Sequence, residues 1–206
     1  MILSLERGIY LASRSPRRRE LLAQIGVRFH LLLFRSRPGE AADVDESTLG
    51  GESAEAYVER LARTKAETGW QRMQQRNLPR APVLSADTTV ALDGKIFGKP
   101  GSREEAARML AALSGSAHEV LTAVALKSDD WMESVVSRSE VKFKKLTPAE
   151  IAAYVESGEC DDKAGAYAIQ GRAGRFVVEL RGSYSGVMGL PLYETGMLLD
   201  KLPARK

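Results

Sequence analysis

The chain has 206 residues, 44% of them apolar and 28% charged, the make-up of an ordinary globular protein long enough to bury a substantial core. Its 30 basic and 27 acidic residues leave a net charge of +3, too balanced for a protein whose main business is coating nucleic acid, so any basic signal is local. One cysteine, Cys160, excludes an internal disulfide, and the two histidines, His30 and His118, stand too far apart in sequence to suggest a His-rich zinc site.

Taken in chain order, residues 8–12 read as a buried strand and lead into a helix. Ser15 is its N-cap, Pro16 suits the first helical position, Leu21, Leu22 and Ile25 form an apolar stripe, and Gly26 stops it. Arg17, Arg18 and Arg19 crowd the first turn, where unpaired N–H groups already amount to a partial positive charge. A bound phosphate would remove that conflict, drawing on backbone N–H groups, the hydroxyls of Ser13 and Ser15 and the guanidinium forks; a solvated basic turn is the bland alternative. A second strand is expected over 27–34. The polar, acidic stretch 35–52 reads as a long loop.

Ser53 caps the next helix, whose Tyr57, Val58, Leu61 and Ala62 share a face with Lys65 at its edge. Residues 83–92 read as a strand and Asp93-Gly94 as a tight hairpin turn into 95–97. Two capping boxes, Ser102 with Glu105 and Thr147 with Glu150, open further helices, the first stopping at Gly115. Between them, 119–127, 132–136 and 139–143 have the β-branched content of a meander. A Gly-rich stretch over 163–171, a strand over 176–180, a turn over 181–183 and a terminal helix near 192–202 complete an alternation that predicts an α/β fold. No apolar run approaches the roughly 18 residues of a membrane span, and the start MILSLERGIYLAS lacks the pattern of a secretory signal, so a cytosolic protein is expected.

Asp87 stands inside the apolar run of the 83–92 strand, where a carboxylate needs compensation. A divalent cation or a lysine would serve, Lys99 being nearest in sequence; a strand-edge aspartate facing water is the alternative. Thr88 and Thr89 point to opposite faces of a regular strand, so only one shares the Asp87 pocket. Asp43, Asp45 and Glu46 could complete a Mg²⁺ site with Asp87, or simply be solvated in their loop. Lys163 precedes glycine that permits close backbone approach, and Gln170 offers the donor and acceptor needed to read an imide edge, though glutamine before glycine is also ordinary turn chemistry. His118 and Cys160 read as structural. Neither a Walker A motif nor GxGxxG is present.

LASRSPRRRELL (11–22), SADTTVALDGKIFGKP (85–100), DKAGAYAIQG (162–171) and GSYSGVMGLPLYET (182–195) together resemble the Maf-like nucleoside triphosphate pyrophosphatases. The resemblance implies a single domain over 1–206, related to the ITPase fold: an elongated mixed sheet with flanking helices and two lobes around a central cleft. It also implies cytosolic hydrolysis of a nucleoside triphosphate to monophosphate and pyrophosphate with Mg²⁺ or Mn²⁺, often by a homodimer, without a membrane or a stable nucleic-acid partner. Carried over by position, the substrate-binding set falls on Ser13, Ser15, Arg17, Arg18, Lys65, Thr88, Lys163 and Gln170. The catalytic set falls on Asp87, Lys99 and Asp45, and the metal ligands on Asp45, Glu46 and Asp87. The combination of arginine, Thr88 and Gln170 looks like the branch that prefers dTTP and UTP. Ser85 departs from the glycine usual before Ala-Asp-Thr.

The chemistry is self-consistent, because a triphosphate must have its negative charge neutralised before water can attack phosphorus. A nucleotide-binding regulator of septum formation that does not turn the nucleotide over is the competing reading. It shares the cleft but not the need for a base and a metal.

Overall fold

A seven-stranded mixed sheet organises the chain. The computed structural model describes residues 8–34 and 44–202; of the 35–52 loop, residues 35–43 and with them Asp43 lie outside the described residues. The strands are β1 (Ile9–Leu11), β2 (Phe29–Leu31), β3 (Val83–Leu92), β4 (Lys95–Phe97), β5 (Ala117–Ser128), β6 (Trp131–Phe143) and β7 (Val177–Arg181). The helices are α1 (Pro16–Gln24), α2 (Ala54–Gln75), α3 (Arg103–Leu113), α4 (Pro148–Glu156), α5 (Tyr184–Met188) and α6 (Leu192–Asp200), with 3-10 turns at Ala164–Ala166 and Arg172–Phe176. The strand order across the sheet is β2-β1-β3-β5-β6-β7, with β4 hydrogen-bonded to the last three residues of β3; β1 runs parallel to β2 and β3, and all other pairings are antiparallel. None of the described helices is long and apolar enough to cross a membrane.

Local chemistry sets many of the boundaries. Ser53 and Ser102 accept from the N–H groups of Ala56 and Glu105, and Thr147 with Glu150 forms a complete capping box. The box at Ser102 is only half made, because Glu105 accepts from Gly101 N–H instead. Asp93 and Gly94 both take positive φ, 50° and 76°, as a tight hairpin turn requires.

Two expectations are corrected and one element is added. The strand expected over 27–34 is confined to Phe29–Leu31. The two strands expected over 132–143 are one, because the polar residues between them are satisfied sideways, Ser137 by Glu194 and Arg138 by Glu119 and Glu55, with no turn needed. The short α5 was not expected; Ser183 caps it and Gly189 ends it at φ 115°.

Sheet faces divide the core. Ile9, Leu11, Leu84, Val124 and Leu126 pack with Leu21 and Leu22 of α1 and Leu198 and Leu199 of α6. On the opposite face Ala91, Ala123 and Ala125 meet Val58, Ala62 and Ala66 of α2. These small side chains bring α2 so near that a Cβ on Gly69 would fall 2.8 Å from Val83 Cγ1. Ser85, in place of the expected glycine, fits because its hydroxyl donates to Ala62 O at 2.6 Å. A third cluster joins Val90, Phe97 and α3 to Phe143, Tyr154, Tyr167 and Phe176.

Candidate active site

The cleft lies where one edge of β3 is left unpaired. β1 pairs only with Val83 and Leu84, and β4 only with Val90, Ala91 and Leu92, while β5 covers the other edge without a break from Val83 to Ala91. Residues 85–89 therefore face a gap, which opens into a cavity of about 560 Å³. That volume suits a nucleotide-sized ligand. The free edge also explains how neighbouring residues of one regular strand share a site: Asp87 reaches it from the α2 face and Thr88 from the other. Thr89 stays buried beneath α2 and does not line the cleft.

One wall is built on arginine. Ser15 occupies the N-cap position of α1, but its side chain makes no capping bond, so the cap expected from the sequence is not made and the hydroxyl lines the cleft uncommitted to the helix. Ser13 accepts from Ser15 N–H at 3.2 Å. The crowded arginines turn away from their own helix toward the C-terminal carbonyls of α5: Arg17 Nε donates to Met188 O at 3.3 Å and Arg18 Nε to Gly189 O at 2.8 Å. Part of the dipole conflict is thus relieved within the protein, since a helix C-terminus favours cations. Arg18 also fills the gap in the sheet. Its Nη1 donates to Ala86 O at 2.7 Å and to Ser13 Oγ at 3.4 Å, and its Nη2 to Thr88 Oγ1 at 3.2 Å. Burial lowers the pKa of both guanidinium groups, offset in part by Asp162 and Glu20 at Arg17 and by Asp87 at Arg18.

The other wall is a chain of alternating charge. Lys65 reaches from α2 to Asp87 Oδ1 and Glu46 Oε1, both at 2.6 Å, and Lys99 meets Glu46 Oε2 at 3.2 Å. The partner of Asp87 is therefore Lys65 and not Lys99, because the close-packed face of α2 delivers Lys65 to the strand. Burial would raise the Glu46 carboxyl, but Lys65 and Lys99 outweigh it and hold the group below its ordinary value. Asp45, expected ahead of Glu46, does not line the cleft. Its exposed carboxylate accepts from Ser47 N–H at 2.9 Å, a local turn that faces it away while Glu46 faces in.

The glycine-rich stretch closes the far end. Gly165 takes φ 67° with Val90 so close that a Cβ would come within 2.8 Å, and its N–H donates to Gly98 O at 3.1 Å, tying the Lys163 segment to the Lys99 segment. Lys163 lines the cleft and contacts Asp161 O and Asp162. Gln170 lines it too, exposed, with no hydrogen bond from its amide among the described residues. Among the described residues, all those expected at the site come to this cleft except Asp45, and sequence reasoning missed Arg14, Phe34, Tyr167 and the Val187–Met188–Gly189 rim. The signal for that rim was GSYSGVMG, whose glycines permit close approach.

His118 and Cys160 are structural, as expected. His118 is pushed to about 4 by burial and bonds Tyr167 Oη at 2.9 Å. Cys160 is fully buried, and burial raises its thiol above the ordinary value.

A divalent cation fits the donor set. Asp87 and Glu46 are carboxylates close enough to share one ammonium, and Asp87 Oδ2 accepts no hydrogen bond from the described residues. Such a site needs only one or two carboxylates when phosphate oxygens and water complete the shell. No cluster of three or more potential ligands occurs among the described residues.

The family model described as Maf-like protein matches residues 8–202. A dTTP/UTP pyrophosphatase of Aromatoleum aromaticum is 58% identical, covering 95% of this chain and 96% of its own length. Proteins of the same name from Nitrosomonas europaea and Dechloromonas aromatica are each 54% identical, over 94% and 96% of this chain and 93% and 98% of their own. Among solved structures, the Ham1 protein of Staphylococcus aureus aligns with a TM-score of 0.48 and 15% identity, over 94% of this chain and 99% of its own.

Proposed function

This chain belongs to the Maf-like protein family, and from that premise we propose that it hydrolyses dTTP and UTP to the monophosphate and pyrophosphate, a housekeeping reaction on the nucleotide pool. The observation that carries the reading is the charge of the cleft. Six cationic side chains, Arg14, Arg17, Arg18, Lys65, Lys99 and Lys163, line it against three carboxylates, Glu46, Asp87 and Asp162. That excess matches a triphosphate, and the buried carboxylate among the cations supplies what hydrolysis adds to binding.

In this reading Arg17, Lys99 and Lys163 bind the phosphates, and the N-terminus of α1 with the Ser13 and Ser15 hydroxyls adds donors. Asp87, fixed through Oδ1 by Lys65, accepts a proton from the attacking water through Oδ2. One P–O bond of the α–β bridge is exchanged for a bond to the water oxygen, and pyrophosphate leaves against the lysines. Mg²⁺ or Mn²⁺ would be held by Asp87 and Glu46, neutralising phosphate charge; Asp45 is too far turned away to join them. Gln170 and the Arg18–Thr88 pair face the base. A cytosolic setting and a second copy of the chain as partner belong to the same reading.

The test is pyrophosphate release by the purified protein over a panel of nucleoside triphosphates with Mg²⁺ or Mn²⁺. Catalytic efficiency on UTP and dTTP should exceed that on CTP by at least about tenfold. Tight nucleotide binding without turnover would overturn it in favour of the non-hydrolysing regulator.

A further inference from the structure

We infer that Thr122 is a positioning residue that fixes the hydrogen-bond direction of Thr88 and so decides which base edge the cleft accepts. The inference rests on the proposed uracil or thymine nucleotide as substrate. Thr122 is fully buried in β5, directly opposite Thr88 of β3, and does not line the cleft.

A threonine hydroxyl has one hydrogen and two lone pairs. Thr122 Oγ1 lies 2.7 Å from Gly186 O, which can only accept, so its hydrogen is committed there. In the 2.9 Å contact between the two threonines, Thr122 must then accept and Thr88 must donate. One lone pair of Thr88 receives Arg18 Nη2 at 3.2 Å. What Thr88 still has for a ligand is a single lone pair. Beside it, Arg18 has spent Nε on Gly189 O and Nη1 on Ala86 O and Ser13 Oγ, leaving the second hydrogen of Nη2. The direction of the bond between the two threonines is thus imposed by one backbone carbonyl within α5, that of Gly186, and the direction of the bond from Arg18 by a guanidinium that can only donate.

An unconstrained threonine would rotate its hydrogen to suit either a ring N–H or a ring lone pair. Gln170 can likewise flip its amide, and nothing among the described residues holds it. Thr88 cannot adapt in that way. A base whose N3 faces Thr88 must donate from it, which uracil and thymine do and cytosine, with a bare N3, does not. Selectivity against cytosine thus originates in a side chain that the nucleotide never touches.

The experiment measures kcat/KM for UTP and CTP with wild type, Thr122→Val and Thr122→Ser. Valine keeps the shape and removes the acceptor that holds the Thr88 hydrogen; serine keeps the hydroxyl. The UTP/CTP ratio should fall at least about fivefold in Thr122→Val, through a relative gain on CTP, and stay at the wild-type value in Thr122→Ser. If valine proves too disruptive to fold, Thr122→Cys, with a weakly hydrogen-bonding thiol, is expected to lower the ratio in the same direction. Equal loss on both nucleotides, with the ratio unchanged, overturns the inference and leaves Thr122 a packing residue. A wild-type enzyme that hydrolyses CTP and UTP equally overturns the base assignment itself, a failure visible before any variant is made.

Discussion

The two walls of the cleft solve the problem of gathering charge in opposite ways. Along the arginine wall, Arg17 and Arg18 are held by neutral carbonyls of Ala86, Met188 and Gly189 and by hydroxyls, so their charge is oriented but not cancelled. Along the lysine wall, Asp87, Lys65, Glu46 and Lys99 alternate in sign, so charge is cancelled locally and each group is pinned by its neighbours. Carbonyl-bound cations keep their pull on an incoming anion, whereas a paired carboxylate can be held ionised and immobile beside a phosphate that would otherwise repel it. Water activation therefore falls on the lysine wall, where Lys99 joins in binding the phosphates, while the arginine wall serves binding and orientation alone.

The strongest way to break this division is Asp87→Asn. The variant should fold, since Lys65 keeps Glu46, but turnover at saturating nucleotide and metal should fall at least about a hundredfold. Pyrophosphate release together with circular dichroism checks it; a rate within tenfold of wild type would place the water-activating carboxylate elsewhere.

Lys65→Met tests the alternation itself by leaving two carboxylates facing each other. We expect a stability loss of about 1–2 kcal/mol, less than for a fully buried pair because the Glu46 side chain is 41% exposed. In wild type the depressed Glu46 carboxyl contributes stability that is present above the ordinary carboxylate pKa and is lost as pH falls through its lowered folded value. Without Lys65 that pKa rises, so the acid limb of the pH–rate profile should move to higher pH. An unmoved limb would dissociate Glu46 from the reaction.

The smallest expected change in stability comes from Arg17→Ala. Its bond to Met188 O is long at 3.3 Å, and its position opposes the dipole of α1, so without nucleotide the variant should melt within about 0.5 kcal/mol of wild type. KM should nevertheless rise about tenfold from the lost phosphate contact. Arg18→Ala, which strands Ala86 O and Gly189 O, should lose about 2–3 kcal/mol. Thermal melts with and without triphosphate compare the two; equal losses would mean that Arg17 too is structural.

What the sequence determined by itself was whatever depends on neighbours along the chain. The caps at Ser53 and Thr147, the Asp93-Gly94 turn, the length of β3 and the oddity of a carboxylate within it were all legible, because those preferences are satisfied within four residues or by a repeating pattern. Three of the four motifs likewise contain Ser13, Arg17, Arg18, Asp87, Thr88, Lys99, Lys163 and Gln170, which line the cleft, whereas Glu46 and Lys65, which line it too, lie outside all four. Tertiary structure decided the rest. Lys65 took Asp87 because small residues let α2 settle on the sheet; Glu46 displaced Asp45 because a local turn faces Asp45 outward; and Ser15 lost its cap while Arg18 found Gly189, 171 positions away. Polar groups on a strand's open edge take whatever partner the fold brings within hydrogen-bonding distance, and sequence separation carries no information about that distance.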